Sequence, residues 1–358
     1  MAALHLALRK HVVPLDSRAF DELINGVVGD RRIVALGESH HFVHETYAIR
    51  ARVLRSLAGL GFEHVGFEIA RTDGIRLDEA LSARDPNALD RVSTFGYRHP
   101  DDRPYEGVLA TAPGDYPEAG MRAEYEALLD ALRASPPSGS SWRAFGFDID
   151  YAPGAAGERL QELASSGVPD VEAERERATS TLSISRQYDA AVREASSYEG
   201  LRTPMAWRER LMTEHVEFEL AAHPNARFAL CAHNLHLAPS SPAFADAGAV
   251  GPGGGEAPPL GVALASAGHR AATIWMLHAD GVDCGPPPSN GRVCAARGTL
   301  NRELAEFGTS FAFRTDSIDE LAVPWRSSTI YDTVIEGVPA QQCDVVVFVA
   351  NTTALRTS

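Results

Sequence analysis

The sequence predicts an α/β fold: a central, largely parallel sheet flanked by helices, with an inserted helical lobe that caps the carboxyl edge of the sheet. Short apolar runs alternate with segments of helical apolar periodicity, which is the pattern of βαβ units. Hydrophobic residues make up 44% of the 358 residues, enough for a large packed core. Residues 155–223 interrupt the alternation with a helical block rich in Glu, Arg and Ala. We therefore expect a helical lobe inserted into a single domain over residues 1–358.

The first βαβ unit lies in the amino-terminal part of the chain. Residues 16–29 begin with capping residues and carry one apolar stripe, which predicts a helix. Residues 33–36 and 65–69 are short apolar runs typical of buried strands, and 46–60 have the spacing of an amphipathic helix. A strand, a helix and a strand in this order predict a right-handed crossover.

The same alternation continues to the end of the chain. Residues 121–133 and 259–267 are predicted helices. The Gly/Pro-rich residues 246–259 predict a mobile loop, which is a candidate lid. Further buried strands are predicted at residues 144–150, 228–232, 271–277 and 343–349.

The composition excludes several classes of function. A net charge of −15 disfavours binding to nucleic acid or to a membrane surface, because both rest on Lys and Arg. The only lysine is Lys10, so catalysis by a lysine nucleophile is excluded from the body of the protein. Residues 1–9 lack the apolar core of a secretory signal, and no apolar run approaches the about 18 residues of a spanning helix. We therefore expect a cytoplasmic protein with a small-molecule substrate, and the sequence assigns no oligomeric state.

The four cysteines are too few for a disulfide framework. Cys284 and Cys294 flank a loop and could pair with each other, but a cytoplasmic location would keep both reduced.

Polar side chains follow four of the predicted strands at the point where each strand ends. Because the carboxyl ends of parallel strands meet at one edge of a sheet, these side chains are expected to form one site. The residues concerned are Glu38 and His41, then Glu68, then Asp148 and Asp150, then His233 and His236.

The chemistry of these residue types points to acid–base catalysis. His41 next to a carboxylate could act as a general base, since imidazole is the side chain that titrates near neutral pH. Glu38 and Glu68 end apolar runs, and a buried carboxylate needs a partner, for which Arg50 is well placed. His40 and His44 are four residues apart, so with His41 they could instead bind a metal ion.

At this point the motifs resemble those of a known family. Gly37-Glu38-Ser39-His40-His41 resembles the Gly-Glu-x-x-His signature of the erythromycin esterase family, which includes succinoglycan-biosynthesis-like proteins. The likeness extends in order along the chain from Gly37 to Leu355. The further matching positions are Arg50, Glu68, residues 146–149, residues 207–212, the Ala232-His233-Asn234-Leu235-His236 motif, and residues 344–348 with 351–355.

The resemblance implies a bacterial hydrolase that opens a macrolide lactone, or another ester of a natural product, by attack of water, an activity associated with antibiotic resistance. It implies that His41 is the base, that Glu38 and Glu68 orient it, and that no metal or other cofactor is required. It also implies that Arg50, His233 and His236 stabilise the tetrahedral intermediate. Candidate substrate-binding residues are His40, Phe42, His44, Arg71, Asp148 and Asn234.

Two departures from the family pattern leave further functions open. His40 and Phe42 stand where the family usually has Thr and Gly, and Phe42 narrows the space beside the base. The same site could therefore serve a biosynthetic tailoring enzyme that catalyses cyclisation, elimination or acyl transfer. A metal-dependent hydrolase using His40, His41, His44 and Glu68 also fits the sequence, as does a non-catalytic binding protein. A Ser39 nucleophile is disfavoured because the Gly-x-Ser-x-Gly motif is absent.

Overall fold

The structure is a computed structural model. It describes residues 2–82, 87–103, 118–137, 141–165, 171–241, 243–244, 257–285, 291–329 and 333–356. Within these residues a nine-stranded sheet lies between two layers of helices, and a three-stranded sheet stands beside it. The α/β class predicted from the sequence is confirmed.

The central sheet is built on six parallel strands. They lie in the order β12-β7-β2-β5-β3-β4, and the short strands β1, β8 and β9 extend the sheet by antiparallel pairing. The small sheet has the order β10-β11-β6. The strands are β1 Val13–Pro14, β2 Ile33–Glu38, β3 Phe62–Ala70, β4 Arg143–Asp148, β5 Arg227–His233, β6 Ala243–Phe244, β7 Ala271–Val282, β8 Arg292–Cys294, β9 Ser310–Arg314, β10 Trp325–Ser328, β11 Val334–Gly337 and β12 Val345–Thr352.

Helices cover both faces of the central sheet because its strands are apolar on both sides. In β2, Val34 and Leu36 point to the face covered by α2, α3, α4 and α5, whereas Ile33 and Ala35 point to the face covered by α8 and α10. The helices are α1 Ala2–His11, α2 Arg18–Val28, α3 His44–Ala58, α4 Arg71–Leu81, α5 Glu118–Ala134, α6 Pro153–Ser165, α7 Val171–Glu194, α8 Arg202–Ala222, α9 Asn234–Leu237, α10 Leu260–Ser266, α11 Leu300–Phe307 and α12 Pro339–Gln342.

The predicted helical block at 155–223 contains α6, α7 and α8, which differ in position. Met212 and Val216 of α8 pack on Phe228 of the sheet, so α8 belongs to the layer of helices that covers this face directly. Helices α6 and α7 pack on each other, and α7 also packs on α8. The division into one domain with an inserted lobe stays a prediction.

The cysteines, the candidate lid and the helix lengths can be compared with the sequence expectations. Cys284 and Cys294 are both free thiols, so the pairing considered from the sequence is not formed. Residues 246–256, which are most of the candidate lid, lie outside the described residues. Within the described part of the chain, no helix has both the length and the apolar character needed to cross a membrane. The strand β9, which pairs with β1 and β12, and the small sheet were not predicted.

Close backbone packing of α4 on β4 holds the end of the sheet that carries the polar residues. A Cβ atom at Gly74 would lie 1.8 Å from the backbone nitrogen of Gly146, and one at Gly146 would lie 2.0 Å from the carbonyl oxygen of Ala70. These contacts leave no room for any side chain, so both glycines are required by proximity rather than by their backbone angles. They fix α4 and β3 against the strand that ends at Asp148.

Two glycine-to-alanine substitutions should therefore change stability in opposite directions. Gly74→Ala forces backbone atoms apart and should lower the free energy of unfolding by about 1–3 kcal/mol. Gly26→Ala, in α2 with nothing within 4 Å of the added Cβ, should raise it by about 0.5–1 kcal/mol. Urea unfolding of the two variants measures both changes. Equal stability of the two variants would contradict the packing described here.

Candidate active site

The register of the parallel strands brings the predicted polar residues to one edge of the sheet. Glu38, at the end of β2, lies beside His233 at the end of β5. Ala70 of β3 lies beside Asp148 of β4, so Glu68, two residues before Ala70, lies near the same carboxyl edge as Asp148. Gly37 is required here, because a Cβ at this position would lie 2.3 Å from Oδ1 of Asn234 at the start of α9.

His41 ends a chain of contacts that begins in the core. Its Nδ1–H donates to Oε1 of Glu38 at 2.6 Å, and the other oxygen of Glu38 lies 2.8 Å from Nη2 of Arg50. Glu38 and Arg50 are buried, whereas 27% of the His41 side chain is exposed. His41 is therefore the accessible end of the chain. Arg50, which is only 3% exposed, lies behind Glu38 and holds that carboxylate in place.

The electrostatic surroundings of His41 favour its protonated form. Burial by itself would lower the pKa of His41, but the hydrogen bond to Glu38 and the negative charges of Glu68 and Glu38 outweigh burial and the opposing charge of Arg50. The pKa of His41 is raised as a result. Its Nε2 has no hydrogen-bond partner within the described parts of the chain, so this nitrogen is available to a ligand or a water molecule.

Arg208, on α8, joins the carboxylates of two strands. Its Nη2 donates to Glu68 at 2.6 Å and to Asp148 at 2.7 Å, and its Nε donates to Asp148 at 2.8 Å. The carboxylates hold the pKa of Arg208 well above its usual range despite burial. Sequence reasoning did not select Arg208, although it lies in one of the segments that carry the family resemblance. One signal was available: the strand ends carry more carboxylates than Arg50 can neutralise, which calls for a second buried cation.

His236 lies between two glutamates and is charged. Its Nδ1–H donates to Glu209 at 2.5 Å and its Nε2–H lies 3.1 Å from Oε1 of Glu68. Burial would lower the pKa of His236, but the two carboxylates raise it to about 10. Glu209 is itself fixed by the backbone N–H of Leu260 at 3.1 Å, and sequence reasoning missed it.

His233 is the neutral histidine of the group. The backbone N–H of Leu235 donates to its Nδ1 at 3.2 Å, so Nδ1 carries no proton and Nε2 carries one. The Nε2–H then donates to Oγ of Thr329 at 2.7 Å, and the Thr329 hydroxyl donates to the carbonyl oxygen of Ser39 at 3.3 Å. Burial and the nearby charge of His41 keep the pKa of His233 well below its usual range. The ring centres of His41 and His233 are 5.3 Å apart.

Three of the predicted substrate-binding residues form the buried walls of this region. His40 lies with its Nδ1 3.0 Å from the Ser39 hydroxyl, and burial and the neighbouring His278 lower its pKa. The ring of Phe42 packs edge-on against His41 at 5.8 Å between centres. Asn234 is buried under Gly37.

Arg71 and His44, which were also predicted to bind substrate, each pair with carboxylates outside the cluster around His41. Arg71 donates to both oxygens of Glu174 at 2.6 and 2.7 Å and pairs with Glu219 at 2.8 Å, so it links α4 to α7 and α8. His44 pairs with the buried Glu124 at 2.8 Å. The described residues contain no group of three or more His, Cys, Asp or Glu side chains arranged to hold one metal ion.

The charges of the cluster nearly cancel. Counted as ionised, its carboxylates outnumber its permanent cations by one, and a proton on His41 makes the sum zero. This charge balance acts together with the hydrogen bond to Glu38 in favouring the His41 imidazolium. The carboxylates are Glu38, Glu68, Asp148 and Glu209, and the permanent cations are Arg50, Arg208 and the His236 imidazolium.

Comparison with known proteins places the fold. No family model and no curated protein matches the sequence. A Bacillus cereus protein superposes with a TM-score of 0.65 at 15% identity, over 99% of this chain and 98% of that one. A succinoglycan biosynthesis protein does so with a TM-score of 0.68 at 12% identity, over the same shares of the two chains. A mutant of the erythromycin esterase EreC in its open conformation gives 0.61 at 17% identity, over 92% and 93%.

At these identities the likeness establishes the fold alone. The chain has the fold of an erythromycin esterase and of a succinoglycan biosynthesis protein, as the motif resemblance predicted. What the site does must be argued from its own residues.

The protonation of His236 predicts how stability depends on pH. Because its folded pKa of about 10 lies above the usual 6.5, its contribution to stability is fully present below pH 6.5 and is lost as the pH rises towards 10. The free energy of unfolding should therefore fall between pH 7 and 10. Glu209→Gln removes one of the carboxylates, so the fall should be shallower in this variant. Urea unfolding across this pH range measures both slopes, and equal slopes would contradict a charged His236.

Proposed function

We propose that the protein hydrolyses an ester or lactone of a small-molecule natural product, using a water molecule activated by His41. The observation that carries this proposal is that the three histidines of the cluster differ in how many of their ring nitrogens have a hydrogen-bond partner. Both ring nitrogens of His233 and of His236 have partners, whereas His41 is partly exposed and has one nitrogen without a partner in the described residues. A general base needs such a nitrogen, with a carboxylate behind it.

The reaction follows from this geometry. Nε2 of His41 accepts a proton from water as the water oxygen attacks the acyl carbon, which gives a tetrahedral intermediate. Glu38 receives the Nδ1–H hydrogen bond and stabilises the imidazolium. The intermediate then collapses, and His41 returns the proton to the departing alkoxide. The products are a carboxylic acid and an alcohol, and His41 is neutral again.

The developing oxyanion is stabilised by hydrogen-bond donors aimed at it, and Arg208 fits that role best. Its Nε and Nη2 hold the two strand-end carboxylates, while its Nη1 makes no hydrogen bond to any residue that the structure describes. Arg50, His233 and His236 were expected from the sequence to take this role. Arg50 lies behind Glu38, and the ring nitrogens of His233 and of His236 are all engaged. We therefore assign oxyanion stabilisation to Arg208 and positioning of Glu38 to Arg50.

The fold and the residues support this class of reaction. The erythromycin esterase among the structural neighbours is a hydrolase by its name, and water activation by His41 requires only groups that this chain supplies. We propose that no metal or other cofactor takes part.

The substitution that tests the proposal removes the base and keeps its size. His41→Gln should lower kcat for hydrolysis by about 10²–10⁴-fold, because general-base catalysis contributes this much. The matched control is His269→Gln, which also changes a partly exposed histidine paired with a glutamate, Glu217, at 3.2 Å. It should leave kcat unchanged. Incubation with macrolides, simple lactones and aryl esters, with and without a chelator, followed by mass spectrometry, measures the product.

The mass of the product separates the possible outcomes. Addition of one water, lost in His41→Gln and unaffected by chelator, is the result we expect. Hydrolysis that persists in His41→Gln would rule out His41 as the base, and loss of activity with chelator would favour a metal-dependent hydrolase. A product without added water would indicate cyclisation, elimination or acyl transfer.

A further inference from the structure

A pocket with a volume of about 260 Å³ opens beside the carboxyl end of β4. Tyr151 and Gly154 line it, three and six residues after Asp148. The ring of Tyr151 lies 5.6 Å from the guanidinium carbon of Arg208, the residue that holds Glu68 and Asp148. The wall of this pocket is therefore in contact with the charged cluster of the candidate active site.

The pocket concentrates positive charge in a protein whose net charge is −15. Arg98, Arg103, Arg186 and Arg193 all line it. Among the residues that the structure describes, Arg193 has a carboxylate partner there, Asp189, which it holds at 2.9 and 3.0 Å. For Arg98, Arg103 and Arg186 no ion pair is formed with any described residue.

The other two carboxylates that the structure describes in the pocket, Asp101 and Asp102, form no ion pair with these arginines. Asp102 accepts hydrogen bonds from the backbone N–H groups of Gly154 at 2.8 Å and of His99 at 3.1 Å, one on each oxygen. The side chain of Asp101 is 88% exposed and lies beside His99. The four arginines that line the pocket therefore exceed its three aspartates by one positive charge.

Arg98 carries an unsatisfied donor in the wall of the pocket. Its Nη1 is buried and has no hydrogen-bond partner in the described part of the chain. A buried charged donor without an acceptor is unfavourable, and an anion in the pocket would remove this penalty. Guanidinium groups suit carboxylate and phosphate because their paired N–H groups match two oxygens.

We propose that this pocket binds an anionic group, a carboxylate or a phosphate, carried by the substrate whose ester is cleaved at His41. The proposal rests on the proposed hydrolysis, and it makes the preferred substrates acidic esters. The anionic end sits among Arg98, Arg103 and Arg186, and the ester extends past Tyr151 and Arg208 towards His41.

Direct binding tests the pocket without reference to catalysis. Inorganic phosphate is titrated into the full-length protein by calorimetry at low ionic strength, with chloride as the salt control. Arg98→Gln and Arg186→Gln should each weaken phosphate binding about tenfold. Arg55→Gln, an exposed arginine at the end of α3, should not. Arg186 is exposed, so its variant keeps the fold even if the Arg98 variant is destabilised. Unchanged binding in Arg186→Gln and in a folded Arg98→Gln would overturn the proposal.

Kinetics then connects the pocket to the substrate. For para-nitrophenyl hemisuccinate, which is anionic, Arg98→Gln and Arg186→Gln should raise KM about tenfold, and phosphate should compete. For the neutral para-nitrophenyl butyrate neither variant nor phosphate should have an effect. Equal effects on the two esters would show that the pocket does not hold the substrate. Phosphate binding that depends on Arg98, in a protein that cleaves neither ester, would overturn the hydrolysis and the substrate assignment but not the anion site.

Discussion

Buried carboxylates at the ends of three parallel strands, β2, β3 and β4, must each find a cation, and the rest of the site depends on this constraint. Glu38 of β2 finds Arg50 on α3, while Glu68 of β3 and Asp148 of β4 share Arg208 on α8. An uncompensated charge in these positions would be strongly destabilising. The helices on the two faces of the sheet are therefore tied to its carboxyl edge by charge as well as by apolar packing.

The balance of charge also explains why one histidine differs from its neighbours. His236 lies between two carboxylates and keeps its proton, and His233 is fixed as a neutral ring by a backbone N–H. Within the described cluster, His41 alone combines exposure with a carboxylate partner and an available nitrogen. The cluster around it lacks one positive charge, which a proton on His41 supplies. A base is useful in this setting because proton uptake relieves an existing imbalance of charge.

Sequence patterns were sufficient for the parallel strands, for several helices, among them α2, α3, α5 and α10, and for the polar residues at the strand ends. These features are local: an apolar run, its periodicity and the residue that follows it. Arg208 and Glu209 were missed because their partners lie far away in the chain, and only the packing of α8 on the sheet brings them together. The different states of His233 and His236 were likewise invisible, since each is set by a neighbour in space. The strand β9 has only five residues, so its apolar pattern is a weak signal.

The most direct test of this account is the pKa of His41 itself, followed by NMR on protein with isotope-labelled histidine. The account predicts a value above the usual 6.5 in the wild-type protein and a clear decrease in Glu68→Gln, where one of the negative charges that favour the imidazolium has been removed. Glu217→Gln, which removes a carboxylate beside His269, serves as the control and should leave the value unchanged. A pKa of His41 at or below 6.5 in the wild type, or one that Glu68→Gln does not lower, would contradict the account.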